Sequence, residues 1–155
     1  MTRAAFYAPM KPPTHPVPSG DRAMARALLC ALDAAGIAAE VVSTLQLRDG
    51  KGDAGLQADL MEQARNEIAR LIPLGRQNGL QLWITYHSYY KAPDLIGPHV
   101  AQALGIPYVQ IEATRARKRL EGPWAPFARA AEDATDAARV VFYLTRRDAE
   151  ALNAY

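Results

Sequence analysis

An α/β fold with a mainly parallel sheet between helical layers is what this sequence predicts, on three observations. Short apolar runs alternate with helical patterns of ten or more residues, the signature of β-α repeats. The breaks between them carry Gly, Pro and capping residues where elements of these lengths must end. The run at Leu80–Thr85 is apolar on both faces, as a strand covered on two sides must be.

The elements follow in order. Arg3–Ala8 reads as a first strand and ends in MKPPTHPVPSG, whose four prolines and closing Gly20 exclude both helix and continued strand. A helix begins near Asp21, with Ser19 or Asp21 as cap, and the pattern puts Met24, Ala27, Leu28, Ala31 and Leu32 on its apolar face. Cys30 lies within that pattern and reads as core packing. Gly36 ends the helix, and Ile37–Thr44 supplies a second strand.

A polar connection, LQLRDGKGDAG, leads to a second helix over Leu56–Ile72, and Asp49–Asp53 is the piece expected to be mobile. Leu80–Thr85 is the third strand. Pro93 and Asp94 suit the opening of a third helix, Asp94–Leu104, which Gly105 terminates ahead of a strand at Ile106–Ile111. A basic loop, EATRARKRLEGPW, precedes a fourth helix at Ala125–Ala138 and a fifth strand at Val140–Leu144. The chain then turns helical at Thr145 and reaches Tyr155 with Leu152 still in pattern, as a domain cut from a longer chain would.

The 155 residues suffice for one domain with one core, without disulfides or a structural metal. Half the composition is apolar and the net charge is only +2, so the overall field gives no case for nucleic acid. One cysteine excludes a disulfide framework and a zinc-spacing pattern. The segment before the proline loop is too short for a signal peptide and no run reaches spanning length, so a cytoplasmic location is expected, with membrane contact at most peripheral.

The third strand runs out into Tyr86, His87, Ser88, Tyr89, Tyr90 and Lys91, and the carboxyl ends of parallel strands are where ligands of such folds bind. Aromatic rings there can stack on a ligand, and an imidazole with an ordinary pKa near ~6.5 can donate or accept at neutral pH. A histidine satisfied by a turn carbonyl is the competing reading. Tyr89 and Tyr90 are adjacent, so at most one is expected to face a ligand, the other packing on the following helix. Lys91 suits an anion or plain solvation.

Gly20 at the mouth of the first helix admits a ligand to backbone N–H groups, which favour an anion by roughly 0.3–1 kcal/mol. Arg115 and Arg117 in the basic loop suit a phosphate by their forked donors, against a solvated loop neutralised by Glu112 and Glu121. No GxGxxG fingerprint, Walker lysine, nucleophile elbow, HExxH or readable catalytic carboxylate pair is present. No metal is expected.

The combination APMKPPTHPVPSGDR, TYHSYYKAPD and IEATRARKR, each after its strand, resembles the N-terminal domain of a GT-B glycosyltransferase of the family 4, group 1 type. The likeness covers essentially the whole chain. It implies a Rossmann-like three-layer α/β/α sandwich forming the acceptor half of a two-domain retaining enzyme. That enzyme would move a sugar from a nucleotide-sugar donor to a sugar or anionic acceptor, by front-face attack with the donor phosphate as base.

By this resemblance His87 contacts the transferred sugar, Gly20 lies on the loop near the donor phosphates, and Glu112 and the basic run line the acceptor side. Tyr86 would orient sugar or acceptor, and Tyr89, Lys91, Arg115 and Arg117 complete the expected substrate contacts. The family's C-terminal donor-binding domain, with its E-x7-E motif, has no counterpart here, so the isolated chain is expected to be inactive. The alternative is a free-standing module that binds a small sugar or anion without catalysis.

Overall fold

The computed structural model describes residues 1–154. Strands β1 (Thr2–Tyr7), β2 (Ile37–Val41), β3 (Leu82–Ser88), β4 (Tyr108–Ala113) and β5 (Val140–Phe142) form one sheet in the order β2-β1-β3-β4-β5. Every pairing is parallel. Helices α1 (Gly20–Ala34), α2 (Ala54–Gln77), α3 (Gly97–Leu104) and α4 (Ala125–Ala137) are the crossovers, and α5 (Arg146–Asn153) follows β5.

Alternation along β1 divides the core in two, because successive side chains point to opposite faces. Ala4, Phe6 and Ala8 join Ile84 and Tyr86 on the face covered by α1 through Ala25, Leu28, Leu29 and Leu32. Ala5 and Tyr7 join Trp83 and Tyr108 on the face covered by α2, α3 and α4. Trp83, Tyr7, Phe6 and Phe127 are fully buried, each contributing about 1.5–3 kcal/mol by leaving water. The three-layer α/β/α arrangement expected from the sequence is therefore present.

Its details depart from the reading in several places. Ser19, not Asp21, caps α1, its Oγ accepting from the Arg22 N–H at 3.2 Å. The α1 face is shifted, so that Met24, Ala27, Ala31 and Cys30 are exposed while Ala25 is buried. Helix α2 continues through Pro73, which sits on the solvent side, where the carbonyl left without a donor can be hydrated. Strand β3 runs three residues beyond Thr85 and so carries Tyr86, His87 and Ser88 within the sheet.

Asp94 precedes α3 rather than belonging to it, and its buried carboxylate does the capping. Oδ1 accepts from the Ile96 and Gly97 N–H groups at 2.9 and 2.8 Å, and Oδ2 accepts from Thr85 Oγ1 at 2.5 Å and Tyr108 OH at 2.9 Å. Trp83 Nε1 donates to Thr85 Oγ1 at 2.9 Å, and the Asp94 N–H donates to Ser88 Oγ at 3.0 Å. Burial pushes the Asp94 carboxyl above its ordinary range, although these four hydrogen bonds to the carboxylate pull the other way. The consequence for function is positional, since this network anchors the end of β3 and the loop that leaves it.

Candidate functional site

The chain runs from β1 to β2 in one direction and from β3 to β5 in the other, which makes the β1/β3 boundary the sheet's topological switch point. In open α/β sheets the loops that flank such a boundary diverge, and the strand ends beside it are where ligands bind. Helix α1 begins beside it. His87 and Asp21 meet there, with Nδ1 and Oδ1 2.7 Å apart and both side chains about one quarter exposed.

A carboxylate at Nδ1 accepts a hydrogen bond from that nitrogen, which selects the tautomer whose Nε2 is the acceptor. Among the described residues no hydrogen bond engages Nε2. The pair is thus oriented to accept a proton or hydrogen bond from a ligand hydroxyl. Asp21 escaped the sequence reading except as a helix cap, and its position directly after Gly20 is the only signal that marked it.

His87 and Glu112 both adopt left-handed backbone, with φ of 60° and 59°. They lie opposite each other between the Tyr86–Ile111 and Ser88–Ala113 partners of β3 and β4. This conformation costs a non-glycine residue about 1–2 kcal/mol, and strain of that kind concentrates at functional sites. Here it occurs in two neighbouring strands at once, near their carboxyl ends.

Tyr86 is buried in the α1-side core, not open to a ligand. Burial raises its pKa, and the adjacent Glu112 carboxylate raises it further. Tyr89 stacks on His87 with centroids 5.2 Å apart and planes 19° apart. Tyr90 meets Tyr89 at 5.5 Å and Trp124 at 5.7 Å, both edge to face. Neither Tyr89 nor Tyr90 is fully buried, so the expected division between a ligand-facing ring and a packed one gives way to a continuous row.

Reciprocal backbone hydrogen bonds between Tyr89 and Ala92 close a tight turn with Tyr90 and Lys91 at its tip. Lys91 Nζ lies 5.8 and 5.4 Å from the Tyr90 and Trp124 ring centres, and the Arg119 guanidinium lies 5.1 and 5.2 Å from them. Both cations are within the range of attraction to an aromatic face.

Buried Asp49 holds this region together and overturns the expectation of mobility at 49–53. Its carboxylate accepts from the N–H groups of Lys51, Gly52 and Asp53 at 2.9, 3.0 and 2.7 Å and from Gln57 Nε2 at 2.8 Å. Its own N–H donates to the Lys91 carbonyl at 2.8 Å, and its carbonyl accepts from Trp124 Nε1 at 3.1 Å. Burial alone would raise its pKa, yet these hydrogen bonds prevail and leave it lowered.

Of the other expected contacts, Gly20 opens α1 next to Asp21, with nothing packed where a Cβ would sit. Arg115 points away to α4, where Nη1 binds Glu132 and Nη2 binds Asp136 at 2.5 Å, so its guanidinium is already matched by carboxylates. Arg117 opens an exposed 3-10 turn, Arg117–Arg119. The structure thus brings His87 to Asp21 next to Gly20, stacks Tyr89 on His87, sets Glu112 by buried Tyr86, puts Lys91 and Arg119 on the same two rings, and turns Arg115 to α4. A scan against protein-family models and a search of curated proteins found no match to this chain.

Proposed function

We propose that this chain is the acceptor-binding half of a retaining glycosyltransferase that moves a sugar from a nucleotide-sugar donor to an acceptor. The His87–Asp21 pair at the β1/β3 switch point is the observation that carries the reading. An imidazole oriented by a carboxylate at a strand's carboxyl end suits recognition of a sugar hydroxyl. Tyr89 supplies a ring face beside it, and Gly20 leaves room for a close backbone approach.

In this role His87 is a catalytic residue through contact with the transferred sugar, holding a hydroxyl as the donor phosphate takes the acceptor's proton. The leaving diphosphate must be stabilised by cations of a second, donor-binding domain, because charge stabilisation is usually the largest catalytic term. The isolated chain should therefore bind nucleotide sugars weakly and turn none over.

Two measurements test this. In the full-length protein, His87→Ala should lower glycosyl transfer by about a hundredfold while the circular dichroism spectrum is retained, in line with loss of a positioned polar group. Unchanged turnover in a folded variant removes His87 from the site. Calorimetry on the 155-residue chain should find no tight donor binding, and micromolar affinity for a nucleotide sugar would favour the free-standing binding module instead.

A further inference from the structure

We infer that Lys91 and Arg119, set against the Tyr90 and Trp124 rings, form a subsite for the anionic group of the acceptor. This rests on the transferase reading and gives its acceptor a chemical class: a phosphate or carboxylate joined to a ring or apolar moiety. The first argument is charge. Arg70 and Arg115 have carboxylate partners, whereas among the described residues neither Lys91 nor Arg119 forms an ion pair. Two cations share two rings, and a bound anion would relieve their mutual repulsion.

The second argument is rigidity. Asp49 ties down both the Lys91 backbone and the Trp124 indole. The indole also packs on Gly52, where φ is +77° and a Cβ would stand 2.7 Å from Pro123 Cβ and 3.4 Å from Trp124 Cδ2. A Cβ there would have to push Pro123, the residue before the indole, out of place. Gln57 Nε2 bonds both Asp49 Oδ2 and the Pro123 carbonyl, the latter at 2.9 Å, which joins the loops before α2 and α4. Little ordering is left for a ligand to impose, and preorganisation of this kind raises affinity.

The third argument is continuity. His87, Tyr89, Tyr90 and Trp124 succeed one another at ring spacings of 5.2, 5.5 and 5.7 Å. An acceptor presenting a hydroxyl near His87 can lay its body along these rings and its charge between Lys91 and Arg119. Arg115, one of the two arginines the sequence favoured for the anion, is occupied by α4.

The test uses the 15N-labelled chain, whose two indole N–H signals belong to Trp83 and Trp124 and are assigned with Trp124→Phe. Phenyl phosphate should shift the Trp124 signal and leave Trp83 in place, inorganic phosphate should do so more weakly, and phenyl glucoside should not at the same concentration. Lys91→Met with Arg119→Met should weaken phenyl phosphate binding about tenfold, and each single change several-fold, as expected for charge-assisted contacts. Lys118→Met should leave it within about twofold.

Equal binding of the glucoside, or equal loss with Lys118→Met, overturns the subsite. Phenyl phosphate binding that survives the double substitution also overturns it. Specific anion binding in a full-length protein that transfers no sugar would leave the subsite standing and defeat the transferase reading.

Discussion

At His87 and Glu112 two neighbouring strands hold left-handed backbone in residues that have a Cβ, and Glu112 is the less expected of the two. Comparison of Glu112→Gly with Glu112→Ala isolates that cost, since both variants lose the carboxylate beside Tyr86. Glycine enters this region without steric penalty, so the glycine variant should be more stable by about 1 kcal/mol in urea denaturation. Equal stabilities, or a more stable alanine variant, would show that Glu112 is not strained. At this scale the sequence was only partly legible. His87 stood out by following an apolar strand, but its partner Asp21 lies 66 residues away and only the fold brings them together. Arg115 looked free because Glu132 and Asp136 belong to a later helix, and Tyr86 looked open because β3 runs further than its apolar run.

Among the elements, the 49–53 loop shows why composition misled. Asp49, Gly50, Gly52 and Asp53 are residues of flexible connections, but they are also the residues of tight turns closed by a carboxylate on nearby N–H groups. Gln57 and Trp124, distant in sequence, decide between the two. Replacing Asp49 with Asn exchanges an acceptor for a donor that faces N–H groups, and should cost about 1–3 kcal/mol at neutral pH. The pH dependence has a definite sign. A carboxyl whose folded pKa lies below its unfolded value of about 3.9 contributes its full stability above that value and loses it as pH falls through the folded one. The gap between wild type and Asp49→Asn should therefore be constant from about pH 7 to 5 and narrow below about pH 4. Urea midpoints across that range measure it, and a gap that widened on acidification would contradict the hydrogen-bond account.

For the molecule as a whole, the alternation of apolar runs and helices carried the fold class, and the strand order follows from where the crossovers lie, which no local pattern states. That order puts the switch point between β1 and β3, on the strand that carries His87, and leaves β2 and β5 as edges. The two edges differ. Strand β2 exposes Glu40, a charge of the kind that discourages edge pairing. Strand β5 exposes Val140 and Phe142 and leads into exposed Tyr143 and Leu144, with Phe142 54 % and Tyr143 56 % accessible. The helix that follows, α5, has no buried residue among those described. An uncovered apolar edge favours pairing with another strand, and in a solution of this chain the available strand is that of a second copy. The isolated chain should thus self-associate as its concentration rises, with sedimentation velocity showing a growing dimer fraction. Phe142→Lys should return it to a monomer without changing the far-ultraviolet circular dichroism, because the side chain leaves little contact behind and adds like-charge repulsion between paired edges. A wild-type chain that remains monomeric at millimolar concentration would mean that three residues of edge are too short to recruit a partner despite their exposed rings.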